Sequence, residues 1–503
     1  MGFVTVKIAL LLWPVFTVFV VSQLRPALAT ATLLLGAILL LPTRVAFDFP
    51  LIPPIGREEI AALSLLAAAM LFHPGRLLAA RPGLGAESLV LVVMLAGVGT
   101  AYTNGDSLTY GPRFLPGISP HDSLSNAARD FMNYFIPFFL ARAMFRSQRD
   151  LRDLMMVIAA AGLLYSLPIL LELRLSPQLN RWIYGFFPHS FHQHVRAGGY
   201  RPMVFMPNGL AVSQFMAVAM IAAASLMAVR TRVFAIEGKA ATAFLASIVV
   251  ACKSAASIVY AGFGLLVVQF MTARMRTALA VALAALAITF PLLRGYGYFP
   301  TDQLVAVASE VSALRAHSLN YRFVNEDLLL EKAQERILFG WGGFNRSRVY
   351  DERRGGLITI TDGYWIIQLG QRGILGSLPI FGMITLPVLL VYRRLRHVRS
   401  RNIRSLLASL ALIVSLAAID LLVNGLFTYL PIVLSGALLG VMEGLQPQSA
   451  RSRARKARKG NLPESPDPSD AAEPVPQPSP TSTPPPSGSD RSASLAAARR
   501  KKR

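Results

Sequence analysis

Apolar runs close to twenty residues long recur along this chain from Val4 to Leu445, and that recurrence leaves few folds open. A hydrocarbon layer of about 30 Å needs roughly 20 apolar residues to be crossed by a helix rising ~1.5 Å per residue. The runs fall near residues 4–22, 26–43, 58–73, 86–102, 128–145, 153–171, 208–229, 238–253, 255–272, 277–293, 374–392, 405–422 and 425–444. Spanning β-strands would alternate over segments of about 10 residues, and no such segments are present. The expected fold class is an all-α polytopic membrane protein with about 12–13 transmembrane helices, the count turning on the tight connections at Ser22–Arg25 and Lys253-Ser254. A hydrophobic share of 53% against 15% charged residues, with mean hydropathy +0.48, agrees with a surface that faces lipid. The first run carries Lys7 and Pro14 and no small-residue cleavage site, so it reads as a retained helix.

Lys and Arg bias in short connections sets the orientation. Arg393, Arg394, Arg396, Arg399, Arg401 and Arg404 mark one connection as cytoplasmic. Counting back from it, Arg274 with Arg276, Arg230 and Arg232 with Lys239, and Arg142, Arg146, Arg149 and Arg152 all fall on the same side. The intervals 103–127, 172–207 and 294–373 are then expected outside, and the C-terminus inside. Long Gly- and Pro-bearing loops of mixed polarity are where chemistry resides on such a scaffold.

The formal charge of +23 is not a nucleic-acid signature in this setting. Much of it is arginine beside helices, and the segment from Gln446 onward adds 12 basic against 5 acidic residues. Its expected partner is anionic membrane lipid. That segment, with Pro463, Pro466, Pro468 and Pro484-Pro485-Pro486, lacks the apolar content for a core. The expected plan is a transmembrane domain over 1–445, including an extracytoplasmic loop at 294–373, and a disordered basic cytoplasmic tail over 446–503. Cys252 is the single cysteine, so no intramolecular disulfide can form. The sequence has no internal repeat of the kind that builds inverted-repeat transporters. It also lacks a Walker-type phosphate loop, so the energy for any reaction must come from the substrate.

Three polar clusters lie near the outer ends of helices. Arg196 and Arg201 precede Pro207-Asn208, a helix start. They are either interfacial arginines with snorkelling side chains or guanidinium groups that bind phosphate bidentately. Lys253 interrupts apolar sequence, where a cation is costly and points to function unless a surface turn hydrates it. Third, Asn320-Tyr321-Arg322 leads into an amphipathic stretch expected to be an external helix over 323–338, ended by Gly340-Trp341-Gly342-Gly343. Asp362, Tyr364 and Trp365 then precede the next span. The carboxylate could accept a hydroxyl proton and the rings pack on sugar faces; the alternative is a helix cap within an aromatic belt.

In their order and spacing, Arg201 with Pro207-Asn208, Lys253-Ser254, Arg322, Gly340-Trp341-Gly342, Asp362-Gly363-Tyr364 and Gly373-Ile374-Leu375-Gly376 resemble the O-antigen ligase and polysaccharide polymerase-like family of membrane proteins. The likeness runs from about 195 to 390, and earlier residues are similar only in hydropathy profile. It implies a bacterial inner membrane enzyme that transfers a polyprenyl-diphosphate-linked glycan to a saccharide or lipid A-core hydroxyl, for O-antigen or exopolysaccharide assembly. No cofactor and no metal are implied; a chain-length regulator is a possible partner. Carried onto this sequence, Asp362, Arg201 and Arg322 take catalytic positions, and Arg196, Lys253, Tyr364 and Trp365 take substrate-binding positions. Two departures stand out. Lys253 precedes the serine where the family has Ser then Arg, and Asp362 replaces the His-Asn of the ligases, which fits the polymerase-like branch better.

Other readings stay open. His189, His192 and His194, with His121, could ligate zinc or copper, although Pro188 and the lack of a nearby cysteine weigh against it. Asp420 and Asn424 share a helix face and either bond to neighbouring helices or touch a passing substrate. The alternative function is a transporter or flippase of a lipid-linked or anionic solute, in which the same cations would line a pathway.

Overall fold

The computed structural model describes residues 2–49, 52–196, 198–425 and 427–445. The expected tail over 446–503 lies outside the described residues. Within them the chain is predominantly helical. It begins with α1 (Gly2–Gln23), α2 (Pro26–Leu40), α3 (Arg57–Phe72), α4 (Pro74–Ala80), α5 (Leu89–Thr103) and α6 (Pro120–Asp130). There follow α7 (Ile136–Met144), α8 (Gln148–Leu175), α9 (Leu179–Tyr184), α10 (Gly209–Ala228), α11 (Gly238–Ala251) and α12 (Ala255–Phe270). The last third holds α13 (Ala273–Gly295), α14 (Thr301–Val311), α15 (Ala313–Gln334), α16 (Tyr364–Arg394), α17 (Arg401–Val423) and α18 (Leu430–Gly444). Three short antiparallel hairpins decorate the loops: Phe47–Phe49 with Ile52–Ile55, Leu108–Tyr110 with Arg113–Leu115, and Val195–Arg196 with Gly199–Tyr200.

Among the described residues seven helices are long and apolar enough to cross a membrane, or eight if α3 and α4 form one span bent by 106°. This is a multi-pass helical membrane protein. The bend lies at His73-Pro74, where proline cannot continue the ladder of α3. Four further runs expected to span fall on shorter apolar helices, namely α2, α11, α12 and α18. The run at 128–145 is composite: α6 ends, a π-helical turn covers Phe131–Phe135, and α7 begins with Pro137 in its first turn.

Three boundaries differ from the sequence expectation. The external helix starts at Ala313 and stops at Gln334 instead of covering 323–338. The last span opens at Leu430, with Pro431 inside its first turn, rather than near 425. The span expected from 374 starts ten residues earlier at Tyr364 and is broken at Gly373, which takes φ 62° and ψ −168°, a backbone shape that suits glycine.

Burial ranks the helices. α17 and α10 are 83% and 78% buried over their most apolar stretch, against 33% for α1 and 28% for α5 and α13. The first two form the centre of the bundle. The others turn faces such as Leu11, Val15 and Phe19 of α1 outward, as lipid-facing helices do.

The two ends of the bundle differ in chemistry. At one end the connections near Val229, Met271–Arg276 and Tyr392–Ser405 converge. At the same end of α18, Glu443 accepts from Arg142 Nε at 2.9 Å and Arg146 Nη1 at 2.8 Å, while Arg142 also pairs with buried Glu87. The opposite end carries the hairpins and the segment between α13 and α16.

Candidate active site

The loop end holds two clusters. The first forms around the start of α10. Asn208 Oδ1 caps this helix by accepting from the Leu210 and Ala211 amides, each at 3.0 Å. His194, buried at 2% exposure, offers Nδ1 to the Ser190 carbonyl at 2.9 Å and receives the Gly209 amide on Nε2 at 3.2 Å. Those two bonds require the neutral tautomer with hydrogen on Nδ1. Burial also lowers the pKa of His194, only partly opposed by the Ser190 carbonyl. The Glu172 carboxylate, fully buried on α8, accepts from the amides of Leu179, Met203 and Val204 at 3.0, 2.7 and 2.7 Å. These bonds fix the loop on both sides of Arg201.

Arg201 is 7% exposed and lies against Gly209, where a Cβ would come within 2.4 Å of its side chain. Its Nη2 donates to the Lys253 carbonyl at 2.7 Å, and its Nε is buried without a hydrogen bond. Burial, and then the neighbouring Arg196, pull its pKa below the ordinary arginine value. Lys253, in a left-handed conformation (φ 54°) between α11 and α12, returns Nζ to the Arg196 carbonyl at 3.0 Å. Arg196 and Arg201, five residues apart, are thus joined by the distant Lys253 into one cationic group.

The second cluster forms where α15 passes the start of α16. Arg322 Nε faces Asp362 Oδ2 at 3.4 Å, and Nη1 donates to the Val423 carbonyl at 3.3 Å, both side chains being more than one-third exposed. One helical turn along, Glu326 is buried. Trp365 Nε1 donates to its Oε1 at 3.4 Å, and Arg294 Nε stands 3.6 Å from its Oε2, which makes no hydrogen bond. Burial outweighs the attraction of Arg294 and pushes the Glu326 carboxyl up to about 7, with Asp327 and Asp362 adding to the rise. A group of that pKa can take or give a proton near neutrality.

Tyr364 and Trp365 stand two and three residues after Asp362, yet both rings are buried. Tyr364 stacks on Phe427 with centroids 4.7 Å apart and joins Tyr134 hydroxyl to hydroxyl at 2.6 Å. Trp365 meets Phe290 edge-on at 5.2 Å. Neither ring presents a face to solvent, so the expected packing of a sugar on them is corrected: helix contacts enclose both.

A cavity of about 60 Å³ lies between α10 and α17, lined by Met206, Leu210 and Gln214 on one side and Asp420, Asn424 and Thr428 on the other. Asn424 Nδ2 donates to Asp420 Oδ1 at 2.6 Å, while Gln214 Oε1 is buried without a partner. The space suffices for several waters.

The glycine motifs form a backbone clamp. Trp341 and Gly342 amides donate to the carbonyls of Gly370 and Gln371 at 2.8 and 2.9 Å. Beyond the break, Ile374 and Leu375 amides donate to Ile337 and Leu338 at 2.8 and 3.2 Å. The polar groups freed at Gly373 are thus paired with the segment that follows α15. Both glycines are demanded by proximity: a Cβ on Gly340 would meet the Arg372 amide at 2.5 Å, and one on Gly373 the Leu338 carbonyl at 2.3 Å. Arg372 in turn forms a bidentate pair with buried Asp130 at 2.5 and 2.7 Å.

Further anchors hold the loops. Arg346, fully buried, donates to the carbonyls of Asp106 and Pro116 at 2.8 and 3.0 Å, and Arg336 reaches the Thr103 carbonyl and Asn104. Lys332 and Arg336 both lie over the Trp341 ring, at 3.8 and 4.2 Å from its centroid. Among the described residues no three His, Cys, Asp or Glu side chains gather as a metal site.

Glu326 and Arg294 escaped the sequence reading. A signal existed: Glu326 stands in line with Leu329, Leu330 and Ala333, on the face that α15 buries, where a carboxylate is costly. No family model matches this chain, and no curated protein matches it.

Proposed function

We propose that this protein is a glycan polymerase or ligase of bacterial cell-surface polysaccharide assembly, with twelve to thirteen crossings, a cytoplasmic C-terminus and its site at the outer face of the inner membrane. One observation carries the reading: a cationic group of Arg196, Arg201 and Lys253 packs at the start of α10 and a carboxylate group of Asp362 and Glu326, with Arg322, sits by the end of α17, and these two helices share the wall of one small, mainly apolar cavity.

In the reaction an acceptor hydroxyl oxygen attacks the anomeric carbon of a polyprenyl-diphosphate-linked glycan. The bond from that carbon to the phosphate oxygen breaks, and its electron pair leaves with the diphosphate. The hydroxyl proton passes to a carboxylate. Charge developing on the diphosphate meets Arg201, whose own positive charge is disfavoured by burial and gains from a nearby anion. Arg322 holds Asp362 by the chain entry to α16. Asp362 and Glu326 are the two candidates for the base, the first exposed and the second poised near neutrality. Tyr364 and Trp365 act by positioning: through Glu326 in the case of Trp365, and through the packing of α16 in the case of Tyr364.

The test is the glycan profile of cells lacking the protein, resolving lipid-linked intermediates, surface lipopolysaccharide and secreted polymer. Single repeat units accumulating on lipid mean a polymerase, and long polymer stranded on its carrier means a ligase. An unchanged profile overturns the reading in favour of a transporter or flippase, which the polar lining of Gln214, Asp420 and Asn424 within the bundle supports.

A further inference from the structure

The end of the bundle opposite the candidate site contains a second and larger cavity, of about 1200 Å³, formed where α10, α12, α13, α16 and α17 end or begin. Six arginines line it: Arg274, Arg276, Arg393, Arg396, Arg401 and Arg404. No Asp or Glu lines it, and among the described residues none of the six takes part in an ion pair. Arg276 is buried and held by the Met271 carbonyl at 3.1 Å and the Ser409 hydroxyl at 2.9 Å, so at least one guanidinium is fixed at the cavity wall. Six like charges around one concavity repel each other and raise the potential inside it. Positive-inside bias accounts for arginines beside helices. It does not account for their convergence, from two separate connections, on one acid-free cavity.

The rest of the wall narrows the occupant. Phe270 at 78% exposure and half-exposed Tyr392 border the cavity where helix ends meet their lipid-facing sides. Guanidinium groups beside an apolar wall suit a phosphate carried on acyl chains, since planar forks pair with phosphate oxygens and the chains run along the exposed rings. We propose that this cavity is a binding site for a phosphate group, delivered as the headgroup of an anionic phospholipid. It is separate from the candidate active site and does not depend on the function proposed for it.

The experiment uses the full chain purified in detergent and titrated with phosphatidylglycerol or phosphatidylcholine, with bound lipid read by native mass spectrometry and the melting temperature followed in parallel. The comparison variant is Arg274→Gln/Arg401→Gln/Arg404→Gln, and a matching triple Lys variant retains the charge. The expected result is preferential retention of phosphatidylglycerol by the wild type. Affinity should drop roughly a hundredfold in the Gln variant, since each juxtamembrane charge is worth about fivefold, and recover in part in the Lys variant. Inorganic diphosphate at millimolar concentration then tests the source: absence of competition assigns the site to a lipid headgroup, and displacement of the lipid assigns it to a soluble phosphate. Equal retention of the two lipids by the wild type, or equal phosphatidylglycerol affinity in wild type and a Gln variant that elutes and melts as a folded protein, overturns the proposal.

Discussion

Replacing Glu326 with Gln separates the cost of burying its charge from any part it plays in chemistry. The carboxyl is buried on α15 and carries a folded-state pKa of about 7 against an ordinary value of 4.5. That gap corresponds to roughly 3 kcal/mol favouring the protonated form in the folded protein. The contribution is fully present below about pH 4.5 and is lost as pH rises through about 7. The amide introduced by Glu326→Gln would keep an oxygen for Trp365 Nε1 and cannot ionise. Thermal unfolding in detergent between pH 5 and 8.5 should therefore show wild type and Glu326→Gln diverging as pH rises, the variant becoming more stable by up to about 3 kcal/mol at the alkaline end. If Glu326 is also the base, the more stable variant will have lost glycan transfer. Stability curves that stay parallel across the range would show that burial does not raise this carboxyl, and the argument for a proton-transferring group there would fail.

Three further outcomes are expected. Gly373→Ala places a Cβ within 2.3 Å of the Leu338 carbonyl at positive φ, costing about 1–3 kcal/mol in backbone strain alone, and should open the clamp to limited proteolysis between α15 and α16. Asp130→Asn removes one partner of the bidentate pair with Arg372 and should cost about 3–5 kcal/mol, read as a lowered melting temperature. His194 has a lowered pKa, so its contribution is present above about 6.5 and lost as pH falls through the folded value; His194→Gln, with no proton to gain, should melt at a temperature that is flat across that window.

Much of the helical scaffold was legible because hydropathy acts over whole segments. Each expected run falls on a helix or on a composite of helices, and α10 begins at Gly209, capped by the Asn208 of the expected helix start. The boundaries that moved did so for local reasons that averaging hides: a proline in the first turn of α18, a glycine break inside α16, and an external helix stopped at Gln334 by the clamp beyond it. In the candidate site the sequence separated cations from carboxylates but could not pair them. Arg201 meets Lys253 through a main-chain carbonyl, and Arg322 reaches Asp362 across forty residues. Tyr364 and Trp365 read as interfacial aromatics because sequence shows adjacency to a span and not the direction of a ring, which here is inward to Phe427 and Phe290. Glu326 was hidden because a single acid in an amphipathic stretch looks like part of a wet face.

At the loop end the cations fasten mostly to main chain. Arg113, Arg201, Arg322, Arg336 and Arg346, with Lys253, each donate to a carbonyl oxygen, those of Gly355, Lys253, Val423, Thr103, Asp106 and Arg196 in turn. Mutation of an acceptor residue leaves that oxygen in place. Within a lineage the loop sequences can consequently drift without breaking these joints, and the two ends of each joint have no reason to change together. Methods that infer proximity from paired substitutions would pass over them. A search for positive charge retained at fixed distances from helix starts would find them.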